Sequence, residues 1–172
     1  MAISCFKIYT RVLSARLGLL FFVLLLFLVG CHHESWHCSF IRNGNLQHDL
    51  AKLTYAPSSR RKGIEFEIVR NGKEIYAYIN VKQYKIPCYH ENPYQALITI
   101  KTDYDIDSFV VPLLEGGQRI HLTDCCLNYL LQALENHPSV TLSVGSFSET
   151  LNTKNFKYSY GKILKRSYYF DF

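Results

Sequence analysis

Ile64-Glu65-Phe66-Glu67-Ile68 and Ile75-Tyr76-Ala77-Tyr78-Ile79-Asn80-Val81 lie on either side of Asn71-Gly72, and this stretch decides the fold class. Apolar residues recur at every second position in both arms. Glu65 and Glu67 take the alternate places in the first arm, and Tyr76, Tyr78 and Asn80 take them in the second. A strand turns successive side chains to opposite faces, so a period of two implies two half-buried strands. Asn-Gly between such runs is a strong hairpin signal, because both residues tolerate the positive φ that a type I′ turn requires.

Working outward, further strands are expected at Ala96–Lys101, Ile106–Val111, Gln118–Leu122, Val140–Val144 and Phe156–Tyr160, with a weaker one at Tyr168–Phe172. Pro93, Gly116-Gly117 and Gly145 separate them. One segment changes period. Leu127, Leu130, Leu131 and Leu134 fall at i, i+3, i+4 and i+7, with Thr123 as N-cap and Asp124 in the first turn. This amphipathic helix, about 124–136, should stop before Pro138, which disfavours helical geometry at His137. The fold class is therefore α+β and β-rich: an antiparallel sheet or β-sandwich with one helix.

The chain has 172 residues, 48% hydrophobic and 19% charged, which excludes a disordered polymer and fits a single domain. Its formal charge of +5 invites a nucleic-acid reading. Setting aside Lys7, Arg11 and Arg16, the only charges before residue 31, leaves 16 basic against 14 acidic residues. A net of +2 makes no electrostatic case for a polyanion, so no nucleic-acid partner is expected.

Positions 1–16 carry those three basic residues and no acid, and positions 17–30 form an uninterrupted run of 14 residues without a polar side chain. A permanent span needs roughly 18 to 20 apolar residues, so the run reads as a signal peptide covering 1–30. Leu28-Val29-Gly30-Cys31 ends it. This tetrad resembles the lipobox of bacterial lipoproteins, with a branched residue at −3, a modest one at −2 and Gly at −1 before the cysteine. The resemblance implies cleavage before Cys31, diacylglycerol on its thiol and acylation of its new amine. Several acyl chains hold a protein at the bilayer where one binds reversibly. His32 stands where inner-membrane lipoproteins often carry Asp, which favours the outer membrane. Residues 31–42 then read as a polar tether, with Trp36 at headgroup level, and 43–172 as a single β-rich domain.

With Cys5 removed and Cys31 lipidated, Cys38, Cys88, Cys125 and Cys126 remain, an even number that suggests two disulfides in an exported chain. Neighbouring cysteines diverge, so Cys38 and Cys88 pair more naturally with Cys125 and Cys126. An alternative is thiol-based redox or other enzyme chemistry at Cys125 or Cys126, since the dipole at a helix N-terminus favours a thiolate.

His32, His33, His37 and Cys38 form a ligand-rich cluster. His33 and His37 are spaced i, i+4, as two zinc or copper ligands on one helical face would be. Asp103, Asp105 and Asp107 suggest a calcium loop, but Ser108 and Leu114 stand where such a loop needs Gly and Glu. The terminal Tyr168-Tyr169-Phe170-Asp171-Phe172 resembles the end of outer-membrane β-barrels. A barrel needs at least about eight strands of about ten residues, however, and the short strands here favour a C-terminal strand or aromatic docking segment. No catalytic motif is present, and His48, His90, His121 and His137 have no partner at a diagnostic spacing. No cofactor is implied.

The reading is a non-enzymatic envelope lipoprotein, attached to the membrane through covalent lipid, whose domain binds or organises another envelope component. The 13 tyrosines supply amphipathic contact area for such a role.

Overall fold

A computed structural model describes residues 36–41, 50–57 and 63–165, all within one unit of the chain. Among these residues, nine strands form two wholly antiparallel sheets. The five-stranded sheet has the order β1-β2-β3-β4-β7, built from Trp36–Ile41, Leu50–Tyr55, Ile64–Asn71, Glu74–Val81 and Arg119–His121. The four-stranded sheet has the order β6-β5-β8-β9, from Ile106–Pro112, Gln95–Lys101, Ser139–Val144 and Phe147–Asn152. Helix α1 is Asp124–Asn136 and α2 is Phe156–Lys165. The β-rich α+β expectation holds.

The central hairpin is β3–β4, and its alternation does what period two requires. Ile64, Phe66 and Ile68 are fully buried, as are Ala77 and Ile79 opposite them. Its turn differs from expectation by one residue. Asn71 pairs with Glu74, so Gly72 and Lys73 are the central residues, and of these only Gly72 has a positive φ, +60°. That is the chemistry of a type II′ turn, in which glycine takes the first central position. The β8–β9 hairpin repeats it: Val144 pairs with Phe147 around Gly145 at φ +56°.

Inward residues of both sheets and both helices share one apolar core, from Phe66 and Ile79 in one sheet through Ile98 and Leu142 in the other. Helix α1 buries Cys126, Leu127, Leu130, Ala133 and Leu134. Thr123 holds its N-cap position through its carbonyl, which accepts the Leu127 N–H at 2.8 Å, and its side chain makes no cap bond.

Two expectations need correction. The tether drawn to residue 42 ends sooner, because Trp36–Ile41 is strand β1, paired residue for residue with β2. Trp36 is 4% exposed, packed at 4.9 Å from both Tyr55 and Phe156 with its Nε1–H donated to Asn152 O at 2.7 Å, so it is a core residue and not a headgroup anchor. Phe156–Tyr160 is helical rather than extended. Its alternating aromatics imitate a strand, but the buried positions, Phe156, Ser159 and Ile163, follow helical spacing. Strands β1, β2 and β9 lie outside the expected set, because the alternation in their sequences is weaker. The Tyr168–Phe172 expectation, like the signal segment, lies outside the described residues.

Candidate binding face

The register lines up one residue from each strand of the five-stranded sheet: His37, Thr54, Glu67, Tyr78 and His121. Side chains alternate between the faces, and the inward neighbours Leu53, Ile68 and Ile79 are in the core, so this row faces away from it. Lys52 and Tyr76 lie one step along on the same face, and Glu65, Asn80 and Arg119 one step the other way.

Glu67 is the centre of the row. It points outward yet is only 5% exposed, because longer side chains close over it. Lys52 Nζ donates to Oε1, and Arg119 Nη2 donates to Oε2 at 3.2 Å. Burial alone would push this carboxyl up. The Lys52 and Asn80 hydrogen bonds and the charges of Lys52 and Arg119 outweigh it and hold Glu67 below the ordinary value. A carboxylate held charged in this way is a poor proton donor, and the arrangement suits structure and recognition better than acid catalysis.

Arg119 also lies 4.0 Å above the Tyr78 ring, and His121 is tilted against Tyr78 at 5.3 Å and Tyr76 at 6.0 Å. Arg119 Nε is buried, with no hydrogen-bond partner among the described residues. A second pair, Lys82 Nζ to Glu65 Oε2 at 2.9 Å, borders the patch. The face thus combines stacked aromatic area, which is both apolar and able to hydrogen-bond, with fixed charges of both signs.

The residues singled out from the sequence are scattered. His37 and Cys38 are adjacent on β1, so they point to opposite faces: His37 outward and exposed, Cys38 inward with its Sγ 3.5 Å from Ser159 O. They cannot share one ion, and His37 is in a strand, which removes the helical pairing expected with His33. Cys31, His32 and His33 lie outside the described residues. Among the described residues no three His, Cys, Asp or Glu side chains are grouped to hold a metal.

The expected disulfides are absent among the described residues. Cys88 is exposed on the β4–β5 connection, Cys125 is exposed, and Cys126 points into the core, so the four thiols sit in separate environments. Burial, and then the neighbouring Cys125, pushes the Cys126 thiol up to about 12, opposite to the direction a nucleophilic thiol needs. Asp103 and Asp105 fall in the turn before β6, which Thr102 organises by accepting the Asp105 N–H at 3.0 Å. Tyr129 donates to Asp105 Oδ2 at 3.4 Å, and partial burial with the Asp107 and Asp105 carboxylates pushes its hydroxyl up to about 12.

The Lys52–Glu67–Arg119 cluster escaped sequence reading because it depends on β7 pairing with β4 across two intervening strands. The only local signal was an acidic residue at a solvent-side position of a strand. Among the described residues, no helix is long and apolar enough to cross a membrane. No protein-family model, curated protein or solved structure matches the chain.

Proposed function

We propose that this chain is a lipid-anchored protein of the bacterial cell envelope, and that its β-rich domain binds or organises another envelope component without catalysis. The observation that carries the reading is Leu28-Val29-Gly30-Cys31, which closes a run of 14 residues without a polar side chain behind a basic leader. The outward face around Glu67, Tyr78 and Arg119 supports the binding role.

The position of the first strand sharpens this reading. Trp36 belongs to the core and lies five positions after Cys31. Five residues span at most about 18 Å, so an acylated Cys31 keeps the domain against its own bilayer and does not let it reach far across the envelope. His32 favours the outer membrane as that bilayer.

The decisive experiment for the anchor is metabolic labelling with palmitate and membrane fractionation of the wild type and Cys31→Ala. The wild type should label and sediment with membranes, and Cys31→Ala should do neither. Equal labelling and retention of the two proteins would overturn the anchor. For the binding role, a photocrosslinker at Tyr78 in intact cells should capture an envelope component that one at exposed Tyr158 does not. The same products from both positions would remove this face from the proposal.

A further inference from the structure

The segment between β4 and β5 is fixed over the outward face of the four-stranded sheet. Ile86 is buried and donates its N–H to Gly117 O at 2.7 Å. Tyr89 N–H is held by Gln95 O at 2.8 Å and Asn92 N–H by Tyr89 O at 3.0 Å, with His90 and Glu91 in the left-handed region at φ +47° and +60°. The Pro87 ring sits so close to Gly145 that a Cβ there would overlap it. Between this segment and the sheet is a cavity of about 400 Å³, with Pro87, Tyr89 and His90 on one side and Leu97, Thr99 and Ser143 on the other.

Its chemistry is selective. None of its lining residues is Asp, Glu, Lys or Arg, so no permanently charged side chain there balances a phosphate, a carboxylate or an ammonium group. Pro87, Leu97 and the Tyr89 ring offer apolar surface, and the Tyr89 ring is fixed edge-on to His90 at 4.1 Å between centroids. Thr99 and Ser143 are paired in register on β5 and β8. Each is oriented by a cross-strand partner, Thr99 to Ser108 at 3.0 Å and Ser143 to Ser148 at 3.1 Å. A hydroxyl with one such bond retains further donor or acceptor capacity. The row Ser108, Thr99, Ser143 and Ser148 therefore carries hydroxyls from the cavity floor outward along the sheet in both directions.

We propose that this cavity is a binding site for a neutral saccharide. A sugar ring has the matching amphipathic form: C–H faces that pack on Tyr89, Leu97 and Pro87, and hydroxyls that exchange hydrogen bonds with Thr99, Ser143 and His90. The volume lies in the range of about 300–1,000 Å³ usual for small-ligand sites. The site is on the opposite sheet from the Glu67 face and does not depend on the lipid anchor.

The test uses the full chain in a zwitterionic detergent, since glycosidic detergents would compete. Cellotetraose, maltotetraose and the N-acetylglucosamine tetramer are the neutral probes, and a galacturonate tetramer is the anionic one. At least one neutral probe should bind saturably by calorimetry, with affinity lowered about tenfold in Tyr89→Ala and in Ser143→Ala, the scale of one lost ring contact or hydrogen bond. Bound probe should slow alkylation of Cys88, which borders the cavity, and leave Cys125 unchanged, as read by peptide mass spectrometry of the wild type. No saturable neutral binding, equal binding of the anionic probe, or unchanged Cys88 alkylation at saturation would each overturn the proposal. Cys31→Ala should bind the same probe equally well, so failure of the anchor and failure of this site are separable.

Discussion

Arg70 is a charged residue on the inward face of β3, 9% exposed, and what makes it tolerable there is helix α2. The last carbonyls of a helix have no partner within it. Arg70 Nη1 donates to two of them, Ile163 O and Leu164 O, both at 2.8 Å. The cation also lies at the negative end of the helix dipole. Arg70→Met keeps most of the buried length but leaves those carbonyls without their donor, and should destabilise the domain by about 1–3 kcal/mol in urea unfolding. A change within error would show that solvent replaces the guanidinium. Glu67 gives the complementary pH prediction. Its folded carboxyl lies below the ordinary value of 4.5, so its contribution is present above pH 4.5 and is lost as pH falls through the folded value. Unfolding free energy measured against pH should therefore fall less steeply below 4.5 in Glu67→Gln than in the wild type. Parallel curves would show that the Lys52 and Arg119 contacts do not set the acid response.

At the scale of elements, the two type II′ hairpins invite a paired experiment. Gly72 and Gly145 have nearly the same positive φ, +60° and +56°, but a Cβ at Gly72 meets nothing within 4 Å and one at Gly145 meets the Pro87 ring. Gly72→Ala should cost only the backbone strain, about 1–2 kcal/mol. Gly145→Ala adds a steric conflict and should cost clearly more, as read from the two midpoints of thermal unfolding. Equal costs would mean that the Ile86–Tyr94 segment gives way freely. The same elements show what a sequence can and cannot convey. Strong local patterns were legible: the alternation of β3 and β4, and the leucine stripe of α1. Helix α2 is disguised in the sequence, because Phe156, Tyr158 and Tyr160 alternate as in a strand while its burial follows Phe156, Ser159 and Ile163. Strand β1 hides from a sequence pattern because its apolar residues mix with His37 and Ser39. The candidate face was least legible, since Lys52, Glu67 and Arg119 meet only through strand pairing, and no local pattern encodes the partner of a distant strand.

For the whole molecule, Trp36 is the most informative reporter, being the one tryptophan of the sequence. Its ring contacts Tyr55, Phe66 and Phe156, which come from three different elements. The native protein should show blue-shifted tryptophan emission that resists a soluble quencher, and both properties should vanish in the single cooperative transition of the domain. Emission typical of a hydrated indole would return β1 to the tether. Trp36→Ala should destabilise the domain by about 3–5 kcal/mol, the usual cost of emptying a buried aromatic site.

The Trp36 Nε1–Asn152 O and Cys38 Sγ–Ser159 O contacts join residues 116 and 121 positions apart. Contacts this distant form late, because the intervening chain must close a long loop first. Synthesis delivers residue 36 long before residue 152. Strand β1 must therefore wait with its indole uncovered until β9 and α2 arrive. The native core closes only after nearly the whole chain has emerged, and that waiting period is when the nascent protein most needs protection from its neighbours.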